Sequence, residues 1–372
     1  MGFKCGIVGL PNVGKSTIFN ALTSAGAASE NYPFCTIDPN VGRVDVPDQR
    51  LEAIESCVPA QKIIPSSMEF VDIAGLVKGA SRGEGLGNKF LGHIRSTDAI
   101  AHVVRCFDSG DITHVEGGVN PVRDIEIIQT ELIFADNETV ESSLTRYKKL
   151  EKTGKKEIPA ILKMIEALAD HLQELKPARN FNLDDYLGDV HEVSLAYRDM
   201  HLITAKKVLY VCNVDEDLAD GNHDNDYTKS VKEFAAKEEA EVVIVSGKIE
   251  EELSQLETDE KQEMLADLGL NEPGLNRLIR AGYKMLGLQS YFTAGEKEIR
   301  AWTIQKGTKA PGAAGVIHSD FERGFICAEV FTVSELLKAG NKVKLKEQGL
   351  IRIEGKEYTV LDGDIMEFRF NV

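Results

Sequence analysis

The sequence predicts an α/β fold built on a mostly parallel sheet, with a helical insertion and a separate, mostly β module at the C-terminal end. Three observations predict it. Short Val- and Ile-rich runs alternate with helical segments through the first half, a glycine-rich turn follows the first of these runs, and the texture changes after about residue 287.

The runs are FKCGIVGL, MEFVDIAG, AIAHVVRCF, KVLYVCNV and EVVIVSG, each ending on polar or glycine residues. Continuous apolar runs of this length, separated by helices, suit strands buried on both faces of a parallel sheet. From about 122 to 204 the rhythm breaks. Apolar residues there recur at three- and four-residue spacing (Ile125, Ile128, Leu132, then Leu144, Tyr147, Leu150), with Gly154 as a breaker, so a helical hairpin is inserted between two sheet strands. Near its turn stand Arg146, Lys148, Lys149, Lys152, Lys155 and Lys156. The cluster reads either as a solvated helix tip or as a contact for a phosphate backbone. The helix 272–287 then leads into EIRAWTIQKG, GFICAEVF, KVKLKEQG, LIRIEGKEYTV and IMEFRFNV, which read as short strands with one helix, VSELLKAG. The expected division is 1–286, interrupted by the hairpin, and 287–372.

Charge follows the same division. The chain has 372 residues and a net charge of −17, yet from Leu288 onward it holds 12 basic and 12 acidic residues, so the body carries all of the excess. An acidic body argues against a protein that coats nucleic acid with its whole surface. No apolar stretch approaches the roughly 18–20 residues that span a bilayer, and no secretory or myristoylation signal is visible. The six cysteines (5, 35, 57, 106, 212 and 327) include no CxxC pair. They read as reduced, mostly buried thiols in a cytoplasmic protein.

GLPNVGKST, Gly9 to Thr17, matches G-x-x-x-x-G-K-[ST] between a strand and a helix. Glycines let backbone N–H groups turn inward around phosphate oxygens, and the helix N-terminus favours the anion. Asn12, Val13, Gly14, Lys15, Ser16 and Thr17 are therefore expected around the nucleotide phosphates. Lys15 reaches the β- and γ-phosphates and the Ser16 hydroxyl ligates Mg²⁺. In MEFVDIAGL, Asp72 ends a strand where it can hold Mg²⁺ through water, and the Gly75 N–H can bond the γ-phosphate. Thr36, between the two motifs, is placed to give Mg²⁺ a second hydroxyl. These motifs make the body a P-loop NTPase domain.

NYPFCTIDPNVG and DIAGLVKGASRGEGLGNKFLGHIRSTDAI, with glycines 79, 83, 85 and 87, resemble the two switch regions of the Obg-like branch of the translation-factor-related P-loop GTPases. With the helical insert and the C-terminal module, the chain as a whole resembles the YchF family, the Obg-like ATPases. The resemblance implies that the C-terminal module is a β-grasp, TGS-like domain. It also implies cytoplasmic nucleotide hydrolysis and association with ribosomes, through rRNA or ribosomal protein.

Two departures from ordinary GTPases bear on mechanism. Leu76 stands where Ras-like enzymes carry the water-orienting Gln. Asn12 resembles the asparagine that coordinates K⁺ in related hydrolases lacking that Gln, where a monovalent cation offsets developing charge. His114, in FDSGDITHVEGG, is either a surface histidine or a group that positions water once its loop closes. The base-reading corner, Asn-Lys-x-Asp in GTPases, reads Asn213-Val214-Asp215-Glu216 here. A Glu in the Asp slot displaces a bidentate guanine contact. The Asn213 amide and the Val214 backbone can serve adenine, with Ser246 of SGK behind the base and Asp215 solvated. The expected activity is a Mg²⁺-dependent ATPase that hydrolyses ATP in preference to GTP and switches ribosome binding. A GTP-preferring enzyme of the same fold and a nucleotide-gated ribosome-binding module stay open as alternatives.

Overall fold

The computed structural model describes residues 3–26, 41–73, 86–108, 117–188 and 191–371. Its strands, in chain order, are β1 (Lys4–Val8), β2 (Val41–Asp45), β3 (Ile63–Ile64), β4 (Ser67–Asp72), β5 (Ala99–Arg105), β6 (Lys207–Asn213), β7 (Glu241–Val245), β8 (Leu288–Ala294), β9 (Ile299–Gln305), β10 (Phe325–Thr332), β11 (Arg352–Glu354) and β12 (Asp364–Phe370). One six-stranded sheet has the order β2-β4-β1-β5-β6-β7 and the other the order β11-β10-β12-β8-β9-β3. The chain divides into two compact units. One comprises Phe3–Gly42 and Glu69–Leu278, the other Arg43–Met68 and Ile279–Val372.

In the first unit β1 pairs in parallel with β4 and β5, and β5–β6 and β6–β7 are parallel as well. Every residue of β5 and all but the first of β6 are buried, as expected of central strands covered on both faces. All five strands expected from the apolar runs are present, and β2 is an addition that its short alternating sequence VGRVD did not announce.

The insert between β5 and β6 is a helical hairpin, Pro121–Glu151 and Ile158–Gln173. Asn120 caps the first helix by accepting from the Arg123 N–H, with Pro121 in the first turn where its missing N–H costs nothing. Gly154 lies in the turn at φ +70°, a conformation glycine adopts without a Cβ penalty. The two helices share a core of Ile133, Val140, Ile161, Ile165 and Leu168, joined by Val193 and Ala196 from the helix His191–Asp199. Two buried polar groups fasten this insert to the sheet domain. Asp136, fully buried, accepts from the Ile203 and Thr204 N–H groups (both 2.7 Å) and from the Thr204 hydroxyl (2.6 Å). Arg179 donates to Gln129 of the first helix (3.0 Å) and to Glu238 (2.8 Å), whose same oxygen accepts from the Tyr210 hydroxyl of β6 (2.8 Å).

His102, buried in β5 beside the Tyr210 ring, adds a pH dependence. Burial first, then the nearby Arg179 cation, push its pKa down from the ordinary 6.5 to about 3. The folded chain therefore holds it neutral while the unfolded chain binds the proton below pH 6.5. His102 costs nothing above that pH, and its penalty grows as pH falls from 6.5 toward 3, reaching about 2 kcal/mol at pH 5. Denaturant unfolding at pH 7.5 and pH 5 checks this: His102→Gln flattens the loss between the two, and an equally steep loss in the variant refutes the assignment.

The second unit departs most from expectation. KVKLKE alternates apolar and charged residues and was expected as a strand, but Lys342–Glu347 is a helix. Gly340 at φ +82° ends the preceding helix Val333–Ala339, and Asn341 caps the next by accepting from the Lys344 N–H. Only Leu345 is buried, while Val343 is left 68% exposed, so a helical arrangement satisfies the core with one residue. Helices Ala310–Ile317 and Ser319–Arg323 were also not expected. The sheet is mixed: β8–β9, β10–β12 and β10–β11 are antiparallel, and β8–β12 is parallel.

Residues 43–68, expected as part of the first domain, contribute to this unit. Strand β3 pairs in parallel with β9, and Leu51 and Ile54 of the helix Arg50–Cys57 join a core with Phe292, Ile299, Leu336 and Ile365. Arg50 ties them down. It donates to both oxygens of Asp48 (2.8 and 2.7 Å) and to Asp362 (2.8 Å), with its guanidinium 5.0 Å from the centre of the Phe292 ring. Such a long-range pairing has no local sequence signature.

Candidate functional site

The site is built at the carboxyl ends of β1, β4, β5, β6 and β7, the edge at which open parallel sheets bind ligands. Val8 ends β1, and the chain turns through Gly9–Gly14 into the helix Lys15–Gly26. Asn12 has φ +63°, where an amide side chain is tolerated better than most. Gly14 has φ +90°, and a Cβ there would lie 2.1 Å from Asn213 Nδ2, so both backbone and space demand glycine.

Lys15 is buried, and its ammonium contacts Oδ1 of Asp72, the last residue of β4, which lies in register with Ile7 of β1. Ser16 is exposed in the first turn of the helix, Thr17 is half-buried, and Val13 is buried. Thr36, Gly75, Leu76, His114 and glycines 79, 83 and 85 lie outside the described residues. Three of the described cysteines are buried (5, 106 and 212), two are half-buried (57 and 327), and all five are free thiols. Burial pushes the Cys5 thiol up to about 12.

At the base-reading corner several polar groups are bonded within the protein. The Asn213 side chain is buried and committed to the protein at both ends. Its Nδ2 donates to the Val13 carbonyl (2.9 Å), and its Oδ1 accepts from the Gly247 N–H (2.9 Å). The backbone is committed too: the Asn213 carbonyl accepts from Cys106 N–H (2.8 Å), and the Val214 N–H donates to Val245 (3.0 Å). The Val214 N–H is therefore spent on the protein, while the Asn213 amide keeps a second N–H and a second lone pair beyond these two bonds. The phosphate loop and the SGK turn each present a backbone group that would otherwise be buried unpaired, and Asn213 stands between them. It is a clamp holding the two loops together.

The remaining groups at this corner are Ser246, Lys248 and Glu216. Ser246 is 1% exposed at the start of the helix Gly247–Ser254, and among the described residues its hydroxyl has no hydrogen-bond partner. The Glu216 carboxylate, in the slot where GTPases carry Asp, pairs with the Lys248 ammonium, and both side chains are exposed. Asp215 is exposed, in keeping with a solvated variable position; partial burial and then Asp217, Asp108 and Glu216 raise its pKa.

One residue at this edge escaped the sequence reading. Arg105 closes β5 in register with Asn213 and is 1% exposed. Its Nε donates to the Phe107 carbonyl (3.2 Å), and the guanidinium lies 4.7 Å from the Phe107 ring centre. An Arg at the end of an apolar run reads as a solvated strand end, whereas stacking and several donors let a guanidinium be buried.

The donor set also bears on a metal. Among the described residues no group of three His, Cys, Asp or Glu side chains is arranged to hold one. What the loop provides is one carboxylate, Asp72, and one hydroxyl, Ser16. All-oxygen donation by one or two protein groups, completed by water and phosphate, suits Mg²⁺ and would not suit zinc.

Comparison with known proteins places this geometry. The chain is 53% identical to the ribosome-binding ATPase YchF of Bacillus subtilis and 51% identical to that of Escherichia coli O157:H7, each over all of both chains. The chain belongs to the YchF family. In agreement, residues 4–142 match a family model described as 50S ribosome-binding GTPase, and residues 288–371 match the C-terminal YchF-GTPase model, described as a protein of unknown function. The solved structure of the Schizosaccharomyces pombe YchF GTPase is 38% identical and covers 99% of this chain, with 98% of its own length matched and a TM-score of 0.86. No helix among the described residues is long and apolar enough to cross a membrane.

Proposed function

We propose that this chain is a cytoplasmic, Mg²⁺-dependent ATPase that prefers ATP to GTP and whose nucleotide state switches binding to the ribosome. The observation that carries the reading is the base corner at the end of β6: Glu216 stands in the Asp slot and is paired with Lys248, so the acceptor pair that reads guanine is altered. The curated relatives similar over the whole chain are named ribosome-binding ATPases, in keeping with it.

In this reading the N–H groups of Val13 to Thr17 and the Gly75 N–H bind phosphate oxygens, and Lys15 leaves Asp72 to meet the β- and γ-phosphates. Asp72, Ser16 and Thr36 hold Mg²⁺, which when bound offsets charge on the phosphates. Ser246 lies behind the base. Asn12 holds K⁺, and His114 positions water. Residues 287–372 form a TGS-like module, to which residues 43–68 add a strand and a helix, and the rest of 1–286 is the nucleotide-binding domain. The module and the basic hairpin tip, whose Lys148, Lys149, Lys152, Lys155 and Lys156 are all exposed, contact rRNA or ribosomal protein.

Competition of ATP and GTP for the purified chain with Mg²⁺, with and without K⁺, tests the proposal. Tighter binding and faster turnover of ATP are expected. A clear preference for GTP overturns it in favour of the second reading, a GTPase of the same fold, as the Schizosaccharomyces pombe relative is named. Turnover that stays low with ribosomes, beside nucleotide-dependent co-sedimentation, makes hydrolysis only a timer.

A further inference from the structure

We infer that Lys248 is a specificity-determining residue: by pairing with the Glu216 carboxylate it competes with guanine for the two-point acceptor that the Asn-x-x-acid corner offers, and so favours adenine. The inference rests on the ATPase reading above and deepens it.

The argument starts from what each base presents. Guanine offers two adjacent donors, N1–H and the 2-amine, which a carboxylate accepts together, one on each oxygen; an ammonium paired with the same carboxylate offsets its charge and weakens both bonds. Adenine offers a ring-nitrogen acceptor in place of N1–H and has no 2-amine. A carboxylate there faces a lone pair, whereas an ammonium offers donors.

In this chain Lys248 Nζ contacts Oε1 of Glu216, joining the SGK turn to the strand-end motif. The pair engages one carboxylate oxygen and sets an ammonium donor beside it. A second observation points to the same corner. The Ser246 hydroxyl, two residues before Lys248, is buried and has no partner among the described residues. A native fold rarely leaves a buried hydroxyl unpaired, so it is a group awaiting a ligand atom. The exposed ion pair itself contributes little to stability, so its removal separates specificity from folding.

The test is the ratio of GTP to ATP dissociation constants, measured by displacement of a fluorescent nucleotide from the full chain with Mg²⁺. Wild type, Lys248→Met and Lys248→Arg are compared. Lys248→Met frees the Glu216 carboxylate and shifts the ratio toward GTP by on the order of tenfold, the worth of one hydrogen bond to a charged group. Lys248→Arg keeps the pair and stays near the wild-type ratio. All three proteins melt at the same temperature. An unchanged ratio in Lys248→Met, or an equal shift in Lys248→Arg, overturns the inference. The wild-type ratio alone tests the underlying reading: a GTP-preferring wild type sinks the ATPase assignment, whatever the variants do.

Discussion

Replacing Asn213 with alanine weakens ATP and GTP by the same factor, on the order of a hundredfold, and destabilises the nucleotide-binding unit. The side chain closes two buried backbone groups, the Val13 carbonyl and the Gly247 N–H, and each would be left unpaired at a cost of about 1–3 kcal/mol. The loss falls on the shape of the phosphate loop, which both nucleotides share, so discrimination between them stays constant. Titrating the variant with each nucleotide and following thermal unfolding checks this. A selective loss of ATP would restore Asn213 to the base-reading role that its sequence position suggests. Gly14 is part of the same packing, since its missing Cβ leaves the space that Asn213 Nδ2 fills.

Replacing Arg179 with alanine costs about 3–5 kcal/mol, because it strands a buried carboxylate. The Arg179 and Glu238 side chains are 14% and 7% exposed, and among the described residues the other donor to Glu238 is the neutral Tyr210 hydroxyl. The Tyr210 phenol, held up by burial and then by the Glu238 charge, stays protonated and cannot replace the guanidinium. Denaturant titration of Arg179→Ala, Glu238→Gln and the combination Arg179→Met with Glu238→Gln measures the coupling. The double variant recovers more than half of the loss, since neither partner is then a buried, uncompensated charge. Losses that simply add would show that the pair is not the unit of stability. Gln129 on the hairpin and Tyr210 on β6 share this network, so the same substitution loosens the insert from the sheet.

The parallel core was legible because its strands are buried on both faces, and that requirement writes continuous apolar runs such as AIAHVVR into the sequence. The hairpin was legible because its helices bury one stripe each. The phosphate loop was legible because its geometry admits few residue types at Gly14 and Lys15. Where the reading failed, local pattern was outweighed by distant partners. KVKLKE has a strand's alternation, yet Asn341 and Gly340 delimit it as a helix once Leu345 has a core to enter. Segment 43–68 reads as a connector. Its role in the second unit appears only when Arg50 meets Asp362, 312 residues away in sequence.

At the base corner the sequence determined which residue types are present: an amide, an acid lengthened by one methylene and an SGK turn. It could not say which of their polar groups are spent on the protein itself. Hydrogen-bond partners are assigned by what lies across the gap. Only the folded chain puts the Val13 carbonyl and Gly247 N–H on either side of Asn213, and Lys248 beside Glu216. A polar side chain advertises its chemistry in the sequence, and tertiary structure decides whether that chemistry is already consumed. Here Asn213 clamps the two loops together, while the buried Ser246 hydroxyl has no partner among the described residues.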